Sequence, residues 1–386
     1  MGSIVLIGID ASRAIVAQRT GTEAYSLHLV RALLDEPTSH RFRLYLNAAP
    51  PAGLLPASSR CELRVIPFPR LWTHVRLSAE MLRDPPDLLF VPSHVLPLAH
   101  PRCSVVTVHD LGHRHYPEAH TATQRWYLEW STRYHVRSAA HLIADSEATK
   151  ADLVRLYGAD PKRVTVSYLG VDPALHPIRD SDLLSRVRRK YGIEGPYLLY
   201  VGTLQPRKNL VRLIEAFATL VQRGAVDSRL TLVLAGKRGW MSEGLLAKAE
   251  EAGIAGRVHL AGYVDERDLA ALYSGATLFV IASLYEGFCL PVLEAMACGT
   301  PVACSNTSSL PEVVGDAALT FDPHDVEEMA AVIGRLLTNS VLRAELVARG
   351  HERCARFTWG ACARQVMRVL ERVAGAPLRE RTFGDN

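Results

Sequence analysis

Residues 278–304 read Leu-Phe-Val-Ile-Ala-Ser-Leu-Tyr-Glu-Gly-Phe-Cys-Leu-Pro-Val-Leu-Glu-Ala-Met-Ala-Cys-Gly-Thr-Pro-Val-Ala-Cys. An apolar run, Leu278–Ala282, predicts a strand. Pro291 suits a first helical position and Gly299 a C-terminal cap, so Pro291–Ala297 reads as a helix. Val302–Cys304 then starts a second strand. Strand, loop, helix, strand is the repeating unit of a parallel α/β sheet. Glu286 to Leu290 form the loop that opens onto the helix, whose start leaves the N–H groups of Gly287, Phe288, Cys289 and Leu290 unpaired. Such a start binds anions. Gly287 would let the backbone approach a ligand closely. Glu286 precedes the helix and Glu294 is placed in its first turn; both can accept hydrogen bonds from a hydroxyl-rich ligand.

The same unit recurs on either side. Continuous rather than alternating apolar runs, as in parallel strands buried on both faces, lie at Ile4–Ile9, Arg41–Leu46, Leu63–Ile66, Leu88–Val91, Ser104–Val108, Leu142–Ala144 and Val164–Ser167. Helical patterns fall between them, among them Ala24–Leu34, Thr123–Ala139 and Glu147–Tyr157. The breaker-rich stretch 168–177 and a charged helical piece, Leu183–Tyr191, read as a linker. A second series follows, with strands at Tyr197–Val201, Leu230–Ala235, Val258–Leu260, Leu278–Ala282, Val302–Cys304 and Ala318–Phe321. Helices at Val341–Ala355 and Trp359–Val373 close it. The fold class is α/β: two Rossmann-like doubly wound domains, 1–175 and 176–358, facing a cleft. Ligands of such sheets lie at the carboxyl ends of the strands.

Four further segments carry candidate chemistry. In Val201-Gly-Thr-Leu-Gln-Pro-Arg-Lys-Asn-Leu210, Asn209 reads as an N-cap. Arg207 and Lys208 stand at the positive end of the helix that follows, which a bound phosphate would relieve; Gly202 would let the backbone approach that ligand. His109 and Asp110 end a strand and point into the cleft, where His109 can bond a substrate hydroxyl. His113 and His115 lack a third ligand, so no metal site is expected. Arg19-Thr-Gly21-Thr22-Glu-Ala-Tyr25 opens a helix and resembles a phosphate or acceptor loop, without the spacing of a nicotinamide fingerprint. In Pro69–Arg83, Leu71, Val75, Ala79 and Leu82 fall at helical spacing. The segment reads as a helix packed on the sheet by that stripe, although Trp72 and its cations also suit a membrane surface.

Composition narrows the alternatives. A chain of 386 residues with 48% hydrophobic side chains has ample core for two domains. A formal charge of +4, without a basic stripe or tail, gives no case for nucleic acid. The seven cysteines include no C-x-x-C pair and suit free thiols in a reducing cytosol. The opening residues lack a signal peptide's cationic region, and no apolar run reaches a membrane-spanning length. Eleven of the 15 histidines lie in residues 1–175.

These residues together resemble the retaining glycosyltransferases of family 4, with the GT-B architecture, over nearly the whole chain. The motifs stand in the family's order: Gly21, His109-Asp110, Ala144-Asp-Ser146-Glu, Leu169-Gly-Val-Asp172, Gly202 with Arg207-Lys208, and Glu286-x7-Glu294. The typical family run has glycine where Cys289 stands. The resemblance implies that Arg207 and Lys208 hold the diphosphate of a nucleotide-sugar, with the Leu290 N–H facing a phosphate. Glu294 would take the ribose hydroxyls. Glu286 and the backbone of Gly287, Phe288 and Cys289 would hold the donor sugar, and Tyr263-Val264 would lie by the base. His109 would reach that sugar from the first lobe. Gly21, Thr22 and Asp110 would lie on the acceptor side, and the last helix, 359–386, would cross back to the first lobe. The run 109–118 is similar to mannosyltransferases that use GDP-mannose in polysaccharide assembly. The acceptor would then be a saccharide or a lipid-linked one, with peripheral contact at the cytoplasmic membrane face, and no metal or other cofactor would be needed. A UDP-sugar (glucosyl or GlcNAc) transferase, a sugar-nucleotide epimerase and a non-catalytic nucleotide-sugar binding module are the alternatives.

Overall fold

The computed structural model describes residues 4–93, 95–237 and 243–375. Among the described residues, thirteen strands form two parallel sheets. The first contains β1 (Leu6–Asp10), β2 (Arg41–Leu46), β3 (Cys61–Val65), β4 (Leu88–Val91), β5 (Ser104–Val108), β6 (His141–Ala144) and β7 (Val164–Val166). Its order is β3-β2-β1-β4-β5-β6-β7. The second contains β8 (Tyr197–Val201), β9 (Thr231–Ala235), β10 (Val258–Gly262), β11 (Leu278–Ile281), β12 (Val302–Ser305) and β13 (Leu319–Phe321), in the order β10-β9-β8-β11-β12-β13. Every strand predicted from an apolar run is present, within two residues at either end. The central ones are buried on both faces, as in Leu88–Val91 and Leu278–Ile281.

Strand order reverses between β1 and β4 in one sheet and between β8 and β11 in the other. These are the switch points where loops diverge and leave a crevice. The chain passes between the lobes twice, side by side: the Val171 N–H donates to the Phe357 carbonyl at 3.0 Å, and Val171 pairs with Thr358. The helix Trp359–Gly375 then packs on the first lobe. Trp359 stacks on His28 at 5.2 Å, and the Ser167 hydroxyl donates to the Cys362 carbonyl. Residues 376–386 of the expected crossing helix lie outside the described residues. The charged piece expected as linker is the helix Ser181–Lys190, and it belongs to the second lobe. Lys190 bonds Asp265 and Asp268 at 2.5 and 2.6 Å. All seven cysteines are free, four of them buried.

One helix is turned the other way from its expected orientation. Leu71, Val75, Ala79 and Leu82 face outward, with Leu71 69% and Leu82 78% exposed. Trp72, Leu77, Glu80 and Met81 are buried instead. The cause is local: Leu71 has φ +55°, and Thr73–Leu77 is wound as a π-helix, which rotates every later side chain relative to 3.6-residue periodicity. Arg64 and Arg76 clamp the buried Glu80 carboxylate at 2.9 Å each and remove the cost of burying it. Among the described residues, no helix is long and apolar enough to cross a membrane.

Candidate active site

A cavity of about 410 Å³ lies between the carboxyl edges of the two sheets, within the range usual for small-molecule sites. His109, Asp110, Gly21 and Thr22 line it from the first lobe. Gly202, Arg207, Lys208, Tyr263, Val264, Glu286, Gly287, Phe288, Cys289, Leu290 and Glu294 line it from the second. The structure therefore brings together every residue assigned to the donor, its sugar or the acceptor side.

Strand pairing explains the assembly. β8 lies beside β11, so the loops leaving their carboxyl ends meet. Arg207 and Lys208 come from one loop and Glu286 from the other. The Lys208 ammonium donates to Glu286 Oε1, and Arg207 Nη1 donates to Glu286 Oε2 at 3.3 Å and to the Tyr285 carbonyl. Ser283 Oγ adds a 2.6 Å bond to Glu286 Oε1. Burial alone would raise the Glu286 carboxyl, but Lys208 and Arg207 overcome it and hold the pKa below its ordinary value. Neither cation is a solvated loop side chain, since Arg207 and Lys208 are 11% and 14% exposed.

Asn209 stands at the predicted N-cap position of the helix Leu210–Gln222, but its side chain makes no cap bond. It adopts a left-handed conformation, and its amide donates to the Pro323 carbonyl at 2.7 Å, tying down the turn that carries both cations. Glu294 is the fifth residue of the helix Leu290–Ala297, just past the first turn where it was expected, and the dipole of the helix start is weaker there. Tyr273 donates to it at 2.7 Å, and burial pushes its pKa up to about 7.

On the first sheet, Val108 of β5 registers with Ala144 of β6. The next residue of each strand is then adjacent to the other, and His109 Nδ1 meets Asp145 Oδ2 at 2.6 Å. Burial opposes charge on the imidazole, but Asp145 outweighs it and raises the His109 pKa. Nε2 has no hydrogen-bond partner among the described residues. Tyr25 braces the ring edge-on at 4.8 Å. Asp145 belongs to the run Ala144-Asp-Ser146-Glu quoted above but had no role assigned from the sequence, although its place one residue past the strand adjacent to His109's marks it. Arg19, from the loop Arg19–Tyr25 quoted above, and Glu266, which the sequence reading missed, close the cavity rim across the lobes with bonds of 2.7 and 2.6 Å. His113 and His115 diverge, one bonding Tyr157 and the other Asp152.

The glycines divide by cause. A Cβ at Gly287 would lie 1.9 Å from the His109 carbonyl oxygen, so this glycine admits the opposite lobe rather than a ligand. A Cβ at Gly202 would strike the Tyr200 hydroxyl at 2.6 Å, again a constraint within the protein. At Gly21, now the first residue of the helix Gly21–Asp35, a Cβ would meet nothing, and the space there belongs to the cavity. Around Gly287 the lobes are joined by Asp110 and Arg207, 3.7 Å apart. Tyr285 reaches across as well, stacking on His115 at 4.5 Å and donating to Asp152 at 2.9 Å.

Three outcomes follow from this geometry. Gly287→Ala should open the cleft. Small-angle scattering should show a larger radius of gyration while circular dichroism keeps both lobes' secondary structure. Cys289 has φ +78°, so Cys289→Gly should stabilise the fold by about 1 kcal/mol in denaturant unfolding. Glu294 holds its proton longer folded than unfolded. Wild-type stability should therefore fall as pH rises from about 4.5 to about 7, by about 1–3 kcal/mol, and then level off. Glu294→Gln should remove that slope.

Comparison with known proteins agrees with the geometry. The description Glycosyl transferases group 1 matches residues 185–353, and Glycosyltransferase Family 4 matches residues 19–175. The O-antigen chain mannosyltransferase B of Escherichia coli is 34% identical over 94% of this chain and 99% of its own length. Sucrose-phosphate synthase from Thermosynechococcus elongatus superposes with a TM-score of 0.75 at 21% identity, covering 97% of this chain and 100% of that one. Anabaena HepE, solved in complex with UDP and glucose, gives 0.73 at 19% identity, covering 96% and 100%. Both share the GT-B fold. With its two lobes matched by both halves of the family and its full length by a relative, the chain belongs to glycosyltransferase family 4 and is a glycosyltransferase.

Proposed function

We propose that this enzyme transfers a mannosyl unit, with retention of anomeric configuration, from GDP-mannose to a saccharide or lipid-linked acceptor in polysaccharide or glycoconjugate assembly. The full-length likeness to a mannosyltransferase carries the choice of sugar. The site geometry supports how the donor would lie. Arg207 and Lys208 would take the diphosphate, with the Leu290 N–H at the helix start. Glu286, freed in part from these cations, would hold donor-sugar hydroxyls beside the backbone of Gly287, Phe288 and Cys289. Glu294 would accept from the ribose hydroxyls, and Tyr263 and Val264 would flank the base. His109, whose pKa Asp145 raises, would donate from Nε2 to a hydroxyl of the sugar. Gly21, Thr22 and Asp110 would border the acceptor.

On this reading the reaction needs no metal. Cleavage of the glycosidic bond leaves a nucleoside diphosphate that gains negative charge. Arg207, Lys208 and a helix start line the cavity and would stabilise that charge once the donor draws the cations from Glu286. No carboxylate of the cavity lining presents itself clearly as a double-displacement nucleophile. Departure and attack on the same face, within one ion pair, is therefore preferred to a double displacement.

Lys208→Ala should lower turnover at saturating donor roughly 100-fold, equivalent to about 3 kcal/mol of transition-state stabilisation. An unchanged rate would remove Lys208 from this role. In thermal unfolding, GDP and GDP-mannose at ~100 times Kd should each add about 2.7 kcal/mol. A shift with UDP and none with GDP would overturn the choice of base. Mannose released equally with and without acceptor would favour a hydrolytic or epimerising reaction instead.

A further inference from the structure

We propose that Glu312 is a positioning residue for transfer, which sets His109 of the first lobe in register with the Glu286 loop of the second. The inference rests on the transfer reading above and concerns a side chain outside the cavity lining.

Glu312 stands on a short helix of the second lobe, Leu310–Val314, reached from β12 through the loop 306–309. Ser308 of that loop occupies the left-handed region at φ +51°, which a serine adopts at a cost. The loop so formed grips the Glu286 backbone on both sides. Ser308 Oγ accepts from the Glu286 N–H at 2.8 Å, and Ser309 Oγ donates to the Glu286 carbonyl at 3.0 Å. Arg353 donates to the carbonyls of Glu312 and Val313 and fixes the far end of the short helix. Glu312 is therefore built firmly onto the segment that holds Glu286.

From there its side chain crosses to the first lobe. Oε2 accepts from the Glu147 N–H and Oε1 from the Ala148 N–H, each at 3.0 Å. The Tyr168 hydroxyl donates to Oε2 at 2.9 Å. The two N–H groups open the helix Glu147–Tyr157, and its own cap, Ser146, serves the Thr149 N–H at 3.1 Å instead. Water could satisfy both groups. A carboxylate from the other lobe, engaged through both oxygens, fixes direction as well as distance, so the contact forms at one angle between the lobes.

Both ends of this contact lead to the reacting groups. The helix Glu147–Tyr157 begins just past Asp145, the partner of His109. Its Thr149 Oγ1 donates to the His109 carbonyl at 3.4 Å and lies 3.5 Å from the Gly287 carbonyl. Tyr168 belongs to the first crossing between the lobes and Phe357 to the second. Their rings pack on each other and on Phe288, with centroids 5.7 to 6.1 Å apart. A change of lobe angle therefore shifts His109 relative to the donor loop, and Glu312 is a charged contact at that joint.

The test uses the full chain. In small-angle scattering without nucleotide or sugar, Glu312→Ala should enlarge the radius of gyration while circular dichroism is unchanged. At saturating donor and acceptor it should lower kcat roughly tenfold to 100-fold, the scale expected when a group is misplaced by about 1 Å. Kd for GDP should stay within about twofold, because the residues assigned to the nucleotide all belong to the second lobe. Glu312→Gln keeps the shape and one acceptor oxygen, so its loss should be smaller, and it replaces the alanine variant if that one does not fold. Placed on His109→Ala, Glu312→Gln should cost little, because no imidazole remains to be set. A contact that only stabilises the fold would instead lower the melting temperature and cost the same with or without His109. An unchanged radius of gyration, an unchanged kcat in the folded variants, or an equal loss on the His109→Ala background would each overturn the proposal. Scattering needs no donor, and the kinetics run on whichever nucleotide-sugar the wild type turns over. A wild type that uses only a UDP-sugar would thus overturn the donor reading and leave this test standing.

Discussion

The structure depends on one buried charge cluster. Glu286 lies between Lys208 and Arg207 at the switch point of the second sheet, and Arg207 faces Asp110 of the other lobe. Burying a carboxylate is costly unless its partners are fixed, and removing one partner leaves an uncompensated charge. Each side chain is accordingly held by something rigid. Ser283 holds the carboxylate, Asn209 ties the cation turn to Pro323, and the Tyr285 carbonyl holds the guanidinium. The missing side chain of Gly287 lets the His109 carbonyl close over the same loop. Cleft geometry and electrostatics are thus set by the same contacts.

The lobes meet through polar groups as much as through apolar packing. Arg19 with Glu266, and Glu312 accepting from the N–H groups of Glu147 and Ala148 at 3.0 Å, span the gap at separate points. Tyr285 adds a stacked and hydrogen-bonded contact next to Glu286. An ion pair near the surface such as Arg19–Glu266 stabilises modestly. These contacts orient two large bodies without locking them, which suits a cleft that must admit and release a substrate.

Much of this was legible in the sequence because parallel strands buried on both faces read as continuous apolar runs. Pro291 and Gly299 fix a helix that exposes its start at a known point. What was not legible depended on neighbours in space. Asp145 becomes a partner of His109 only because β5 pairs with β6 in that register. Asn209 was assigned a cap by local rules, but the carbonyl of Pro323, far along the chain, claimed its amide. The stripe at 71–82 was assigned to the core on 3.6-residue periodicity, which fails across a π-turn preceded by a left-handed leucine. Cys289, where the typical family run has glycine, falls on a left-handed residue at which glycine would cost nothing, and only the backbone angle shows it.

The central claim is retaining mannosyl transfer directed by the two cations beside the helix start. The most direct measurement is nuclear magnetic resonance of the product formed from GDP-α-mannose and a mannoside acceptor. The account predicts an α-linked mannosyl product with one GDP released per bond formed. A β-linked product, or transfer that proceeds only from a UDP-sugar, would contradict it.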